Sequence, residues 1–246
     1  MDDGRRSDDA PLRAVINLGN AVLAHGDPED PRGVSVDLAR ELGRRAGRAV
    51  ELRAVTAARD AVEALEAGAA DLGFLAHDPE RSRTLAFTDP YVMIEGCFAV
   101  PEAAPPAVAD EADRPGLRIG TKRGSALHLH LARTVGSAEL VPLPEHPLPG
   151  EDPALDVITG IRDPLTAALR ASPGWRLLEP AFLRIPQCVA VPAATPAVDR
   201  DALSGAVREL LASGFVARSL SADGRPPELA APPARCAGTR KSPRPG

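Results

Sequence analysis

Along the chain the hydrophobic positions switch repeatedly between a short-run pattern and a helical one. Leu12–Leu18 (LRAVINL) is a compact apolar run of strand character, and turn formers follow from His25 to Gly33 (HGDPEDPRG). Val36, Leu38, Ala39, Leu42 and Ala46 then recur at helical spacing, with Ser35 placed to cap the helix and Gly47 to stop it. Val50–Val55 reads as a strand, Arg59–Ala67 as a helix closed by Gly68, and Asp71–Ala76 (DLGFLA) as a buried strand. This β-α-β-α-β order predicts an α/β fold with parallel strands.

The second half repeats the alternation. A strand is expected over Met93–Val100, and the Pro- and Ala-rich residues 101–116 read as a linker between lobes. Strand Arg118–Gly120, turn Thr121–Gly124 and a helix from Ser125 to Val135 follow, then a strand at Glu139–Leu143. Five prolines within 142–153 (PLPEHPLPGEDP) exclude a helix of useful length there. Strand Leu155–Thr159, helix Pro164–Ala171, strand Gln187–Val191 and an amphipathic helix Asp199–Leu211 ending at Gly214 complete the pattern. Residues 1–10 and 221–246 show no periodicity and read as disordered tails. The segment from Ser221 offers little apolar surface to offset its ordering entropy, so it is expected to be removable without loss of stability.

Composition narrows the function. With 246 residues, 44% hydrophobic and 26% charged, the chain is ordinary for a globular protein, and its net charge of −5 gives no reason to expect a nucleic-acid partner. No apolar run approaches the roughly 18 residues of a membrane span, so direct insertion in a membrane is not expected. Cys97, Cys188 and Cys236 make neither a disulfide framework nor a metal-ligand spacing, and the rings of His128 and His130 leave a helix in different directions. No nucleophile elbow is visible, and GTKRGS lacks the P-loop pattern. MDDGRRSDDA is not followed by the apolar core of a secretory signal. The expected location is therefore cytoplasmic as the sequence stands, and periplasmic or extracellular if the true start lies upstream.

Four stretches then carry a resemblance: GVSVDLARELGRRAG (33–47), EALEAGAADLGFLAHDPERSRTLAFTDPY (63–91), LRIGTKRGSA (117–126) and DALSGAVRELLASGFVARSL (201–220). Together the chain resembles the bacterial family 3 solute-binding proteins, the amino-acid type of the periplasmic-binding-protein-like class II fold. The 63–91 block is the most specific, because its length, spacing and residue types all agree. The resemblance implies a two-lobed α/β fold with a ligand cleft between the lobes. Lobe 1 would comprise 12–99 plus 187–220, and lobe 2 would comprise 103–184. It implies a monomeric, non-enzymatic binding protein without a cofactor. Its partners would be a small-molecule ligand and an ABC-transporter permease.

The same resemblance assigns Arg81 to the ligand's carboxylate, a role suited to a guanidinium fork making two charge-assisted hydrogen bonds. Gly124 and Ser125 open a helix whose amides and hydroxyl can face an anion. Asn17 closes the first strand and Ala76 the third, while Asp78 stands where the family has a threonine before Pro-Glu-Arg. Three departures bear on the ligand. NAVLAHG (20–26) lacks the ring that usually covers an amino acid, and the chain has only five Phe, one Trp and one Tyr in all. Ile161 replaces the aspartate that holds an ammonium, and Arg162 beside it offers a second anion site. An anionic metabolite such as a dicarboxylate is thus expected rather than a zwitterion.

Two alternatives remain. One is an enzyme of the same fold, prephenate or arogenate dehydratase-like, with Glu95 and His77 as acid–base candidates. The other is a regulatory binding domain without a transporter. The hinge strands Met93–Val100 and Gln187–Val191 should run antiparallel. If they cross near Val100 and Ile185, Cys97 and Cys188 face each other or sit one step apart.

Overall fold

The computed structural model describes residues 10–232. Ten strands and six α-helices follow in the order β1 (Leu12–Asn17), β2 (His25–Asp27), β3 (Asp30–Arg32), α1 (Val34–Arg45), β4 (Val50–Val55), α2 (Ala58–Glu66), β5 (Leu72–Ala76), β6 (Leu85–Pro101), β7 (Arg118–Lys122), α3 (Ala126–Thr134), β8 (Glu139–Leu143), β9 (Val157–Ile161), α4 (Arg162–Ala171), β10 (Trp175–Pro192), α5 (Ala197–Ala212) and α6 (Phe215–Ala222). Short 3-10 turns lie at Arg81–Arg83, Ala109–Ala112 and Pro227–Leu229. Eight strands form one sheet in the order β4-β1-β5-β10-β6-β9-β7-β8, and β2 and β3 pair as a separate hairpin.

The sheet contains two parallel units. On one side β1 runs parallel to β4 and β5. On the other β7 runs parallel to β8 and β9. Between them lie β6 and β10, antiparallel to each other and long enough, at 17 and 18 residues, to belong to both. The end of β10 lies between β5 and the early part of β6, while the late part of β6 pairs with β9. These units are the two lobes, and β6 and β10 are the crossing segments that join them.

Strands buried on both faces explain the continuous apolar runs. Ile16 and Phe74 face a core with Leu38, Tyr91, Val207 and Leu220, whereas their neighbours Val15 and Leu75 face α2 through Ala61 and Leu65. The second lobe repeats this: Val157 packs with Phe98, Ile119 and Leu131, and Ile158 packs with Ala99, Leu155 and Leu165. Pro142 lies in β8, the edge strand, where a missing N–H is tolerated.

Several expectations need correction. The hinge register is different: Cys188 lies opposite Pro90 on β6 and opposite Leu75 on β5, while Cys97 pairs with Gly160 on β9. Cys97 and Cys188 therefore sit seven residues apart along β6, about 23 Å at ~3.3 Å per residue. The register differs because β10 begins at Trp175: Val100 pairs with Arg176, and Ile185 pairs with Ile94. Each thiol is buried alone, and burial pushes Cys97 up to about 11 and Cys188 up to about 12. Ser35 does not cap α1. Gly33 holds that position with φ 111, where a Cβ would come within 2.6 Å of the Leu23 carbonyl, and Ser35 instead hydrogen-bonds the Tyr91 hydroxyl at 2.9 Å.

The tail expected from Ser221 onward is folded as far as the described residues run. Asp223 meets His25 Nε2 at 2.7 Å, the Arg225 guanidinium donates to the Ala21 carbonyl at 2.7 Å, and the Ala231 N–H donates to the Tyr91 carbonyl at 3.0 Å. Ala231 is buried in the lobe 1 core. Polar and main-chain contacts hold this segment, and an apolar periodicity does not reveal them. The tail expectations for 1–9 and 233–246 lie outside the described residues.

Candidate functional site

The ends of β1 and β5, the start of α2, the start of α3 and the end of β9 enclose a cleft of about 970 Å³ between the lobes. This lies at the upper end of ordinary small-molecule sites. Asn17, Ala76, Arg81, Gly124 and Ser125 all line it, so five positions singled out in the sequence converge on one space.

Arg81 is the most unusual of them. It follows β5 in the 3-10 turn and is only 7% exposed. Its Nη1 donates to the Ala76 carbonyl at 3.0 Å, and its Nη2 reaches across the cleft to the Gly124 carbonyl at 3.2 Å. Among the described residues no carboxylate hydrogen-bonds this guanidinium. Burial pushes its pKa down, while the charges of Asp78 and Glu80 oppose that shift. A buried cation with spare donors and no paired anion is a ready partner for a ligand carboxylate.

On the facing lobe, Gly124 has φ 70, a left-handed conformation suited to glycine. Its N–H donates to His128 Nδ1 at 3.1 Å, and burial lowers the pKa of that imidazole. Ser125 caps α3 by accepting the His128 N–H at 3.2 Å, which leaves its own O–H to donate. Asn17 Oδ1 accepts the Gly19 N–H at 3.0 Å, leaving the amide NH2 as donor.

Two expected site residues stand elsewhere. Arg162 is not part of the cleft wall, although its neighbour Ile161 is. Its Nε donates to Glu95 at 2.5 Å, and Nη1 and Nη2 grip Glu179 at 2.6 and 2.9 Å. The bonds to Glu179 raise the Arg162 pKa, and the bond to Glu95 adds to them. This corrects the expectation of a second anion site, because the guanidinium is already committed to two carboxylates, from β6 and β10. Asp78 is also outside the wall. It accepts the Glu80 N–H at 2.9 Å and two bonds from Arg133 of α3, at 3.3 and 2.7 Å. Burial alone would raise its pKa, but Arg133 and the Glu80 N–H outweigh that and hold it below the usual carboxylate range.

The acid–base candidates are likewise off the cleft. Glu95 is held by Arg162, and His77 bonds Ser82 at 3.1 Å and packs on Phe87. Sequence reasoning missed Gln187, which is 3% exposed and lines the back of the cleft from β10. It also missed His146, a cleft residue of the proline-rich stretch whose buried Nδ1 has no partner among the described residues. Gln187 could have been found as the polar residue that begins the apolar run 187–191. His146 carried no local signal. No group of three or more metal-capable side chains occurs among the described residues. No helix among them is long and apolar enough to cross a membrane.

The family model for bacterial extracellular solute-binding proteins, family 3, matches residues 21–221. Among solved structures, a histidine kinase sensor domain with similarity to periplasmic binding proteins superposes with a TM-score of 0.71 at 20% identity, covering 89% of this chain and 97% of that one. A putative ABC-transporter binding component from Wolinella succinogenes DSM 1740, complexed with lysine, gives a TM-score of 0.69 at 20% identity over 87% of this chain and 95% of that one. An ancestral amino-acid-binding protein, a precursor of cyclohexadienyl dehydratase, gives 0.67 at 16% identity over 87% and 95%. At these identities the likeness establishes the fold. A comparison with curated proteins finds no match.

Proposed function

Because the chain belongs to the bacterial extracellular solute-binding proteins, family 3, we propose that it captures a small carboxylate-bearing solute between its lobes and does not transform it. The observation that supports this reading is Arg81: a buried guanidinium on the cleft wall, hydrogen-bonded among the described residues only to the carbonyls of Ala76 and Gly124. A ligand carboxylate entering the cleft supplies the missing counter-charge. It bridges to the Ser125 hydroxyl and thereby ties lobe 1 to lobe 2. Glu95 and His77 lie off the cleft wall, which favours binding over turnover.

In this reading the partner is an ABC-transporter permease that takes the ligand from the closed form, and the binding protein itself acts as a monomer. The lobes are residues 12–99 with 187–231, and 103–184. The expected affinity change is large. Arg81→Ala removes a bidentate charge pair from a closed cleft, about 2–5 kcal/mol, or one and a half to more than three decades in Kd. Arg81→Lys loses most of it as well, because a point charge cannot reproduce the fork. Titration calorimetry of both variants against a carboxylate panel checks this, with circular dichroism to verify folding. An alanine variant that binds like the parent excludes Arg81 as the anchor. Turnover of prephenate or arogenate by the unaltered protein would exclude the non-enzymatic reading.

A further inference from the structure

Resting on the carboxylate anchor just proposed, we infer that the ligand is a monocarboxylate with an apolar body and no ammonium group. The charges on the cleft wall carry the argument. Arg59, Arg81, Lys122 and Arg123 line it against only Asp60 and Glu145 among the described residues. Neither carboxylate can serve a buried ammonium. Glu145 is 82% exposed and already bound by Lys122 Nζ at 2.9 Å, and Asp60 is 38% exposed beside Arg59 at 3.6 Å. An ammonium enclosed in the closed cleft would remain an uncompensated buried charge.

The unspent hydrogen-bonding capacity points the same way. The Arg81 guanidinium, the Asn17 amide NH2 and the Ser125 O–H are all donors, matched to a carboxylate. Gln187 adds a neutral amide, enough for a hydroxyl or oxo substituent but not for a charge.

The count of negative charges on the ligand follows from the cations. Among the described residues Arg81 is the buried cation without a carboxylate partner. Lys122 is taken by Glu145, and Arg162 is taken by Glu95 and Glu179 outside the wall. The other wall cations, Arg59 and Arg123, are exposed: Arg59 lies beside Asp60 and Glu63, at 3.6 and 3.5 Å, and Arg123 donates to the Pro142 carbonyl at 3.3 Å, so a second carboxylate would find no buried cation. One part of the wall is aliphatic: Ile161, Pro164, Leu165 and Ala168 come from the β9–α4 corner, and Pro147 and Leu148 also line the cleft. That surface suits a hydrocarbon body.

The test is calorimetry on the full chain with skeleton-matched probes: straight and branched monocarboxylates of about four to eight carbons, including 4-methylpentanoate, against L-leucine, glutarate and 4-methylpentanamide. A monocarboxylate should bind, its amino-acid counterpart and glutarate should bind roughly tenfold to a hundredfold more weakly, and the amide should not bind. Ile161→Asp, which restores a carboxylate to the wall, should move the preference toward L-leucine. An amino acid or dicarboxylate that binds as tightly as its matched monocarboxylate, and loses binding in Arg81→Ala, overturns this inference while leaving the anchor in place. If no carboxylate of any kind binds, the proposed function itself falls, and the inference with it.

Discussion

At the residue scale, the cleft groups most exposed to pH are its histidines. Burial pushes His146 down to about 4, and the nearby Lys122 charge adds to that. In the unfolded chain the imidazole titrates near its ordinary value of about 6.5. Between these two values the unfolded state binds more protons, so stability rises with pH across that window and is lost as pH falls from about 6.5 toward about 4, each unit of difference being worth about 1.4 kcal/mol. His146→Phe keeps the ring and removes the titration. Its melting temperature should fall less than the parent's between about pH 7 and 4.5. Identical pH profiles would show that His146 is not held neutral. His128 and His130, both lowered by burial, leave a residual slope. The sequence made these residues unequally legible. Arg81 stood out because its neighbours fix it in a motif, and its position depends on a local turn. The capture of Arg162 was invisible, because Glu95 and Glu179 lie 67 and 17 positions away in sequence and meet it only through the packing of β6, α4 and β10.

At the element scale, the parallel strands and their helices were legible because each buries both faces or one clear stripe. β6 and β10 were not. Only their apolar cores, near 93–100 and 187–191, show as strands, while FTDPY and the proline-interrupted stretch Glu179–Arg184 hide the remainder. Main-chain pairing between β6 and β10 spans FTDPY and resumes at Leu183 after a break from Leu178, and side-chain pattern does not show it. The same cause hid the last segment. Its role is testable by removal: truncation after Ala222 deletes Asp223 with its His25 contact, the Arg225 bond to Ala21, and the Ala231 cover over Tyr91. Melting temperature should drop by several degrees, since loss of about 1 kcal/mol shifts a domain of this size by ~2–4 °C. Truncation after Pro232 removes none of these contacts and should be neutral. Equal melting temperatures for the two truncations would show that the segment contributes nothing.

At the scale of the whole molecule, the two lobes are joined by β6 and β10 and also by two polar contacts across the cleft mouth, Arg81 to Gly124 and Asp78 to Arg133. The second uses no group that the ligand would need. Asp78 belongs to lobe 1 and is 4% exposed, and Arg133 belongs to lobe 2, so opening the lobes must break the pair. The pair therefore biases the protein toward closure before ligand arrives. Ligand affinity depends on the fraction that is binding-competent, so weakening the pair weakens binding without touching the ligand. Arg133→Ala should raise the radius of gyration measured by small-angle scattering in the absence of ligand. It should also weaken binding by roughly threefold to tenfold, with ligand restoring the closed dimensions. Acid should act similarly. The Asp78 pKa is held below the usual carboxylate range, so its contribution is fully present above about pH 4 and is lost as pH falls through the depressed value. Adding Asp78→Asn to Arg133→Ala should open the unliganded lobes no further, because the contact between them has already been removed. An Arg133→Ala protein with the parent's dimensions and affinity would show that closure is set by the hinge strands alone.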